Sequence, residues 1–335
     1  MLAIGIIGAS GYTGVQLVKL AKMHPKISHI ELYGYSQTGI NYSELYPELG
    51  ELNLKLRSIE TVSLDLDVYF LALPHTQSIG WVEKLYGRNA LVIDLSADFR
   101  LNSAELYEKV YGKAHSFSHA LINKRYGLTE HLSDEELKKA HVIANPGCFP
   151  TVTLLALKPI SEVFEKHIEA ISTIAYSGTS GAGKNVGHSL SCTEMFGNTK
   201  AYAVLSHRHQ PEIEQELNNS YPYNITMHLL PVSRGIYATH TIFLKQPISE
   251  EQLLKVYNKR YLASTFVRLC AIPPELKWVV GTNYCDLHIR VVGQVVVITS
   301  CIDNLIKGAS GQAVQNMNLH FGFNEAEGLT TCLAI

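Results

Sequence analysis

An apolar run, Leu2–Ile7, passes directly into Gly8-Ala9-Ser10-Gly11-Tyr12-Thr13-Gly14 and then into Tyr12–Met23, where Leu17, Leu20 and Ala21 share one helical face. A strand that ends in spaced glycines and continues as a helix has few folds open to it. Glycine permits the sharp turn and lets backbone N–H groups approach a pyrophosphate, and the helix start adds positive potential. The spacing is G-x-x-G-x-x-G rather than the commoner G-x-G-x-x-G, but the physics is the same. The segment predicts the β–turn–α opening of a dinucleotide-binding domain. Its candidate cofactor residues are Gly8, Ser10, Gly11, Tyr12, Thr13 and Gly14; the competing reading is a tight turn with no ligand. Met1–Ile7 has neither the basic start nor the longer apolar region of a signal peptide, so a buried first strand is expected.

Ile30–Tyr35, Val68–Leu73, Leu91–Leu95 and His141–Ala144 are further strand candidates, separated by helical patterns. Each is nearly continuous in apolar character, as in parallel strands covered on both faces. The alternation predicts an α/β fold with a Rossmann-type doubly wound parallel sheet. After about residue 165 the pattern changes. Ile168–Tyr176, Met227–Val232, Tyr237–Leu244, Thr265–Ala271, Asp286–Val292 and Gln294–Cys301 read as strands, several joined by short turns, which predicts an α+β domain with a mostly antiparallel sheet. Residues 304–319 read as a closing helix. The 335 residues suit two domains, and 46% hydrophobic with 17% charged residues excludes disorder as the main state. A net charge of -2 argues against a nucleic-acid partner. The longest apolar stretch, near Val291–Ile302, is short of the roughly 20 residues that span a bilayer. The six cysteines form no C-x-x-C pair, so reduced thiols and a cytoplasmic setting are expected.

The end of the second strand bears on cofactor choice. An acid there would bind the ribose 2′-OH of NAD. Gly34-Tyr35-Ser36-Gln37-Thr38 has none, and Ser36 and Thr38 offer hydroxyls to a 2′-phosphate, so NADP is expected, with NAD as the alternative. The densest chemistry lies in Asn145-Pro146-Gly147-Cys148-Phe149-Pro150-Thr151, between a strand and the helical run Val152–Val163. Pro150 suits a first helical turn, so Cys148 falls at a helix start, where the thiolate is favoured. A thiolate beside a nicotinamide can take an acyl group as a thioester, and hydride transfer then yields an aldehyde. The general acid/base is sought in Ser206-His207-Arg208-His209-Gln210-Pro211-Glu212, with Glu212 spaced to orient an imidazole. Gly178-Thr179-Ser180-Gly181-Ala182-Gly183-Lys184 matches the G-x-x-x-x-G-K of nucleoside triphosphatases. Asn185 stands where magnesium needs Ser or Thr, which leaves an anion-binding loop of N–H groups with Lys184. No metal-ligand cluster is seen.

These motifs occur with LPH at 73–75, IDLSADFRL at 93–101, YGLTE at 126–130, PVSRGI at 231–236, GTNYCD at 281–286 and DNLIKGASGQAVQNMN at 303–318. Together they resemble the N-acetyl-gamma-glutamyl-phosphate reductase family, the arginine-biosynthesis branch of the semialdehyde dehydrogenase superfamily. The resemblance spans nearly the whole chain. It implies a dinucleotide-binding domain over 1–147 with 304–335 and a catalytic, substrate and oligomerisation domain over 148–303. It implies Cys148 as nucleophile and His209, with Glu212 behind it, as acid/base in preference to His207. Pro74, Ser96, Gly181, Ala182 and Asn316 would join the NADP site. Ser177, Gly178, Lys184, Arg208 and Arg100 would bind substrate. The partners implied are a small-molecule acyl phosphate and further copies of the chain, as a homo-dimer or homo-tetramer. The family's YGLPE reads Thr129 here, and Gln37 and Asn41 stand where it often has Arg and Lys. The same chemistry on an aspartyl or carrier-linked aminoadipyl or glutamyl phosphate is the rival reading.

Overall fold

The computed structural model describes residues 1–50, 52–184, 190–217 and 220–329. The described residues divide into two compact units, Met1–Pro146 with 309–329, and Gly147–Gly308.

The first unit holds seven strands: β1 (Leu2–Ile7), β2 (Ile27–Gly34), β3 (Leu56–Ser58), β4 (Val68–Leu71), β5 (Leu91–Asp94), β6 (Arg125–Tyr126) and β7 (Val142–Ala144). They lie in the order β3-β2-β1-β4-β5-β7-β6, and every pair is parallel. Strand order reverses between β1 and β4, so the crevice for a ligand opens beyond Ile7 and Leu71. The central strands are buried on both faces, as their unbroken apolar runs require. One face packs Tyr33, Tyr69 and Leu71 against the helix Ile79–Leu85 and Phe99. The closing helix begins later than its sequence pattern suggests. A π-helical turn, Ile306–Ser310, comes first, and the α-helix runs Gly311–His320. Its amides work inside this unit. Gln312 Nε2 donates to Gly127 O (3.0 Å) and Thr129 Oγ1 (2.9 Å).

The second unit carries β8 (Ile168–Ser177), β9 (Lys200–Tyr202), β10 (Tyr223–Leu229), β11 (Ile236–Leu244), β12 (Val267–Leu269), β13 (Cys285–Val292) and β14 (Val295–Ile302). Their order is β12-β13-β14-β11-β8-β10-β9. The sheet is mixed: β8/β10 and β12/β13 are parallel, and the other four pairs are antiparallel. The helix Cys148–Phe164 lies against it and buries Val152, Leu154, Leu155 and Ile160. Pro159 inside this helix has no N–H, which leaves the Leu155 carbonyl without its helical donor. Tyr261 supplies one, its hydroxyl donating to Leu155 O at 2.6 Å. Tyr257, one turn earlier on Glu250–Tyr261, donates to Ala156 O. The other sheet face leaves Ile174 and Phe243 more than 40% exposed. No helix among the described residues is long and apolar enough to cross a membrane.

Candidate active site

The glycine loop is shaped by two contacts that only glycine tolerates. Gly8 has φ +91°, and a Cβ there would lie 2.3 Å from Ala72 O. A Cβ on Gly14 would lie 2.4 Å from Gly8 O and 2.7 Å from Ala9 Cα. Gly11 is looser, with its nearest neighbour at 3.7 Å. Gly8 and Ala9 N–H groups donate to Tyr33 O, while the Tyr42 and Tyr46 hydroxyls brace the loop from outside on Ala9 O (2.7 Å) and Ser10 O (2.6 Å). Gly11 caps the helix Tyr12–Met23 with no side chain of its own. The N–H groups of Tyr12, Thr13 and Gly14 therefore have no intrahelical acceptor and sit at the positive end of three helical turns. A cradle that a Cβ would fill, under unspent N–H donors, fits a pyrophosphate. Ser36 and Thr38 are exposed on the loop after β2, and no acid accompanies them.

Other residues expected around the cofactor take structural bonds. Ser96 is buried, its hydroxyl donating to Asp94 Oδ2 (2.9 Å) and accepting from Asp98 N–H (3.1 Å). Burial, with the Asp98 charge second, pushes the Asp94 carboxyl up to about 6. Asp98 in turn accepts from the Thr76 and Ser78 N–H groups and from the Tyr107 hydroxyl, fixing the turn that follows Pro74, itself exposed. Arg100 donates through Nε to Asn145 O (2.9 Å) and through Nη2 to Leu95 O (2.8 Å), so these donors hold backbone at two strand ends instead of reaching outward. Asn316 Nδ2 donates to Gly127 O (2.9 Å) and Asn145 Oδ1 (3.2 Å), so its N–H donors hold the 127 turn.

In the second unit Gly147 is the N-cap and Cys148 the first residue of its helix. The start is earlier than the apolar run suggests, because Pro150 fits the first turn. Cys148 is partly exposed, and no acidic side chain shares its first turn. A helix start of this kind favours an anionic sulfur. Glu212, buried on the helix Gln210–Leu217, accepts the Gly147 N–H at 2.9 Å. This carboxylate thus holds the peptide next to the thiol. Phe149 packs its ring against both histidines, 5.6 Å from His207 and 6.0 Å from His209. The two imidazoles are 4.9 Å apart, and the His209 N–H donates to His207 Nδ1 (3.1 Å). Tyr202 packs on His207, and its phenol is pushed up by burial and then by the Cys148 sulfur. Phe149 and Tyr202 went unassigned from sequence; the only signal was that an aromatic directly follows Cys148.

Burial, aided by the exposed Arg208 charge, pushes His207 down to about 4. His207 is neutral near pH 7, and its Nδ1 accepts the backbone N–H of His209. The same shift makes a prediction for stability. The unfolded state binds this proton below about pH 6.5 and the folded state only below about 4, so stability is present above 6.5 and lost as pH falls through that window. His207→Gln should flatten the loss, which amounts to about 3 kcal/mol; urea unfolding at pH 7 and pH 4 measures it.

The glycine-lysine loop is not a phosphate cradle. The N–H groups of Gly178, Thr179 and Ser180 donate to Gly235 O, Val232 O and Ser233 O, and those of Gly181 and Gly183 close local turns on Gly178 O and Ser180 O. These five N–H groups are therefore not open to an anion. The loop is stitched to 232–235 instead, so closely that a Cβ on Gly178 would lie 2.6 Å from Arg234 N. Ser177 donates to Gly178 O, while Gly181, Ala182 and Lys184 are exposed. Asn185 lies outside the described residues. Among the described residues no group of three or more His, Cys, Asp or Glu side chains is arranged to hold a metal.

Residues 3–140 match the family described as semialdehyde dehydrogenase, NAD binding domain, and residues 148–304 match its dimerisation domain. N-acetyl-gamma-glutamyl-phosphate reductase of Shouchella clausii is 43% identical over 340 residues, covering 98% of both chains. The proteins of that name from Campylobacter jejuni subsp. jejuni and Halothermothrix orenii are 42% and 39% identical, again over 98% of each chain. In fold, the chain is similar to aspartate semialdehyde dehydrogenase II of Vibrio cholerae, with TM-score 0.74, 18% identity and 96% and 98% of the two chains covered. The NADP complex of the Candida albicans aspartate semialdehyde dehydrogenase gives TM-score 0.68 at 14% identity, covering 95% and 98%. Near-full-length identity around 40% carries more than fold alone: the chain belongs to the N-acetyl-gamma-glutamyl-phosphate reductase family, oxidoreductases of semialdehyde dehydrogenase fold.

Proposed function

We propose that this chain reduces N-acetyl-γ-glutamyl phosphate to N-acetylglutamate 5-semialdehyde and phosphate, in the cytoplasm and in arginine biosynthesis, through a thioester on Cys148. The observation that carries the reading is the partly exposed Cys148 at a helix start, with two histidines ringed around the neighbouring Phe149. The Cys148 thiolate attacks the acyl carbon, a C–S bond forms, and the C–O bond to phosphate breaks with phosphate leaving. Gly8–Gly14 would hold NADPH, with the Ser36 and Thr38 hydroxyls offered to its 2′-phosphate, and the bound cofactor would supply the hydride for the thioester carbonyl. His209 gives a proton to the oxygen of the resulting thiohemiacetal and takes it back as the C–S bond breaks, which returns the thiolate and frees the aldehyde. Arg208 and Lys184 are exposed cations suited to phosphate or carboxylate. Assembly into dimers or tetramers through the second unit's exposed sheet face, with Ile174 and Phe243, belongs to the same reading.

Mixing the chain with the acyl phosphate in the absence of any nicotinamide tests the covalent step. The expected result is a burst of about one phosphate per chain and an acyl adduct on the Cys148 peptide by mass spectrometry. No burst, or an adduct elsewhere, overturns the thioester route.

A further inference from the structure

The ion pair formed by Arg234 and Asp303 is buried, and nothing in the reaction as written uses it. Their side chains are 8% and 0% exposed, and Arg234 Nη2 lies 3.2 Å from Oδ1 and 3.1 Å from Oδ2 of Asp303. The same carboxylate takes three backbone donors: Leu305 (2.8 Å) and Ile306 (3.1 Å) on Oδ1, and Gly281 (2.8 Å) on Oδ2. Five contacts on one buried carboxylate tie together segments more than 60 residues apart in sequence.

Two arms leave this point. The first runs through the π-helical turn Ile306–Ser310. Gly308 N–H donates to Asp303 O at 2.9 Å, an i to i−5 bond that sets the turn. Gly308 then abuts the thiol: a Cβ there would lie 2.8 Å from Cys148 Cβ, 3.2 Å from Cys148 Cα and 3.2 Å from Ile302 Cδ1. The second arm runs to the loop at 178–180, whose Gly178 the family resemblance sets among the substrate residues. Asn304 Oδ1 accepts Gly235 N–H (2.7 Å), and its Nδ2 donates to Ser180 Oγ (3.1 Å). Gly235 O takes the Gly178 N–H at 2.9 Å. The Asp303–Asn304 pair thus stands between the seat of the thiol and the 178–180 loop.

We infer that Asp303 is a positioning residue: its carboxylate fixes Gly308 against Cys148 and, through Arg234 and Asn304, sets the loop at 178–180 relative to that thiol. The inference rests on Cys148 being the nucleophile. A purely structural ion pair would act on stability alone. The Arg268–Asp286 pair, with Nε and Nη2 at 2.6 and 2.8 Å from a carboxylate that is 1% exposed, provides that comparison within the same unit.

The test compares Asp303→Asn, Asp286→Asn and the wild-type chain by turnover and by the rate of Cys148 alkylation with iodoacetamide from pH 6 to 9. A seat displaced by about 1 Å costs on the order of 100-fold in turnover. Asp303→Asn is therefore expected to lose about that much, with a displaced alkylation pH profile, while Asp286→Asn keeps wild-type values for both. Wild-type turnover and alkylation in a folded Asp303→Asn chain overturn the proposal. If it does not accumulate folded, Gly308→Ala and Arg234→Met read the arms separately. Gly308→Ala is expected to move the alkylation profile, and Arg234→Met to raise KM while leaving that profile in place; wild-type behaviour in either overturns the corresponding arm. Failure of the underlying reading looks different: alkylation of the wild-type chain at Cys148 then leaves activity intact.

Discussion

Serine at position 148 is expected to reduce turnover by at least about 10⁴-fold while leaving the fold and cofactor affinity unchanged. The side chains are nearly isosteric, and the position is partly exposed at a first helical turn, so packing is little disturbed. What changes is the nucleophile. A helix start favours a thiolate, but a hydroxyl lies several pK units too high for that environment to ionise. Steady-state assay together with a cofactor titration separates the outcomes. Serine turnover within tenfold of wild type would mean that no covalent bond to residue 148 is required.

Alanine at position 14 is expected to weaken NADP(H) binding by roughly 100-fold, equivalent to about 2.7 kcal/mol. The added methyl would stand 2.4 Å from Gly8 O and 2.7 Å from Ala9 Cα. Both neighbours are backbone, and Ala9 is held by the Tyr33 carbonyl on one side and the Tyr42 hydroxyl on the other. The loop cannot yield locally, so the helix start must move and its open N–H groups leave their aim. Gly11→Ala is the contrast, with only one neighbour at 3.7 Å, and it should bind nearly as wild type. Equal affinities for the two variants, measured by fluorescence titration of NADPH, would sink this account of the loop.

The parts of this protein that could be read from sequence are those whose physics is local. Gly8 and Gly14 are required by contacts within a few residues of themselves or with the adjacent strand, so a strand–glycine–helix pattern was enough. The parallel sheet followed from unbroken apolar runs, although its β3 and β6, at three and two residues, carry no period to read. Position 148 was legible because Gly147 and Pro150 mark a helix start on their own. Glu212 was found as a residue, and its spacing of three from His209 suggested a role beside an imidazole, but a second role had no local signal. Its observed acceptor role, on Gly147 N–H, spans 65 residues. The Gly178–Lys184 loop shows the same limit: its pattern is that of an anion cradle, and nothing local signals that the N–H groups of Gly178, Thr179 and Ser180 meet carbonyls at 232–235, more than 50 residues away. Asp303, Arg234 and Gly308 gave no sequence signal beyond lying in quoted motifs, because an ion pair between residues 69 apart exists only once the sheet has formed.

The proposed reaction passes an acyl group from phosphate to Cys148 and reduces it there with hydride from a nicotinamide held at the glycine loop. Running the reaction backward tests it most directly, because the acyl phosphate is the unstable partner. N-acetylglutamate 5-semialdehyde is supplied with NADP+ or NAD+, with and without inorganic phosphate, and reduction of the nicotinamide is followed at 340 nm. The account predicts reduction that requires phosphate, disappears when Cys148 is alkylated, and is faster with NADP+ than with NAD+. Reduction that proceeds equally well without phosphate, or that survives alkylation of Cys148, would contradict it.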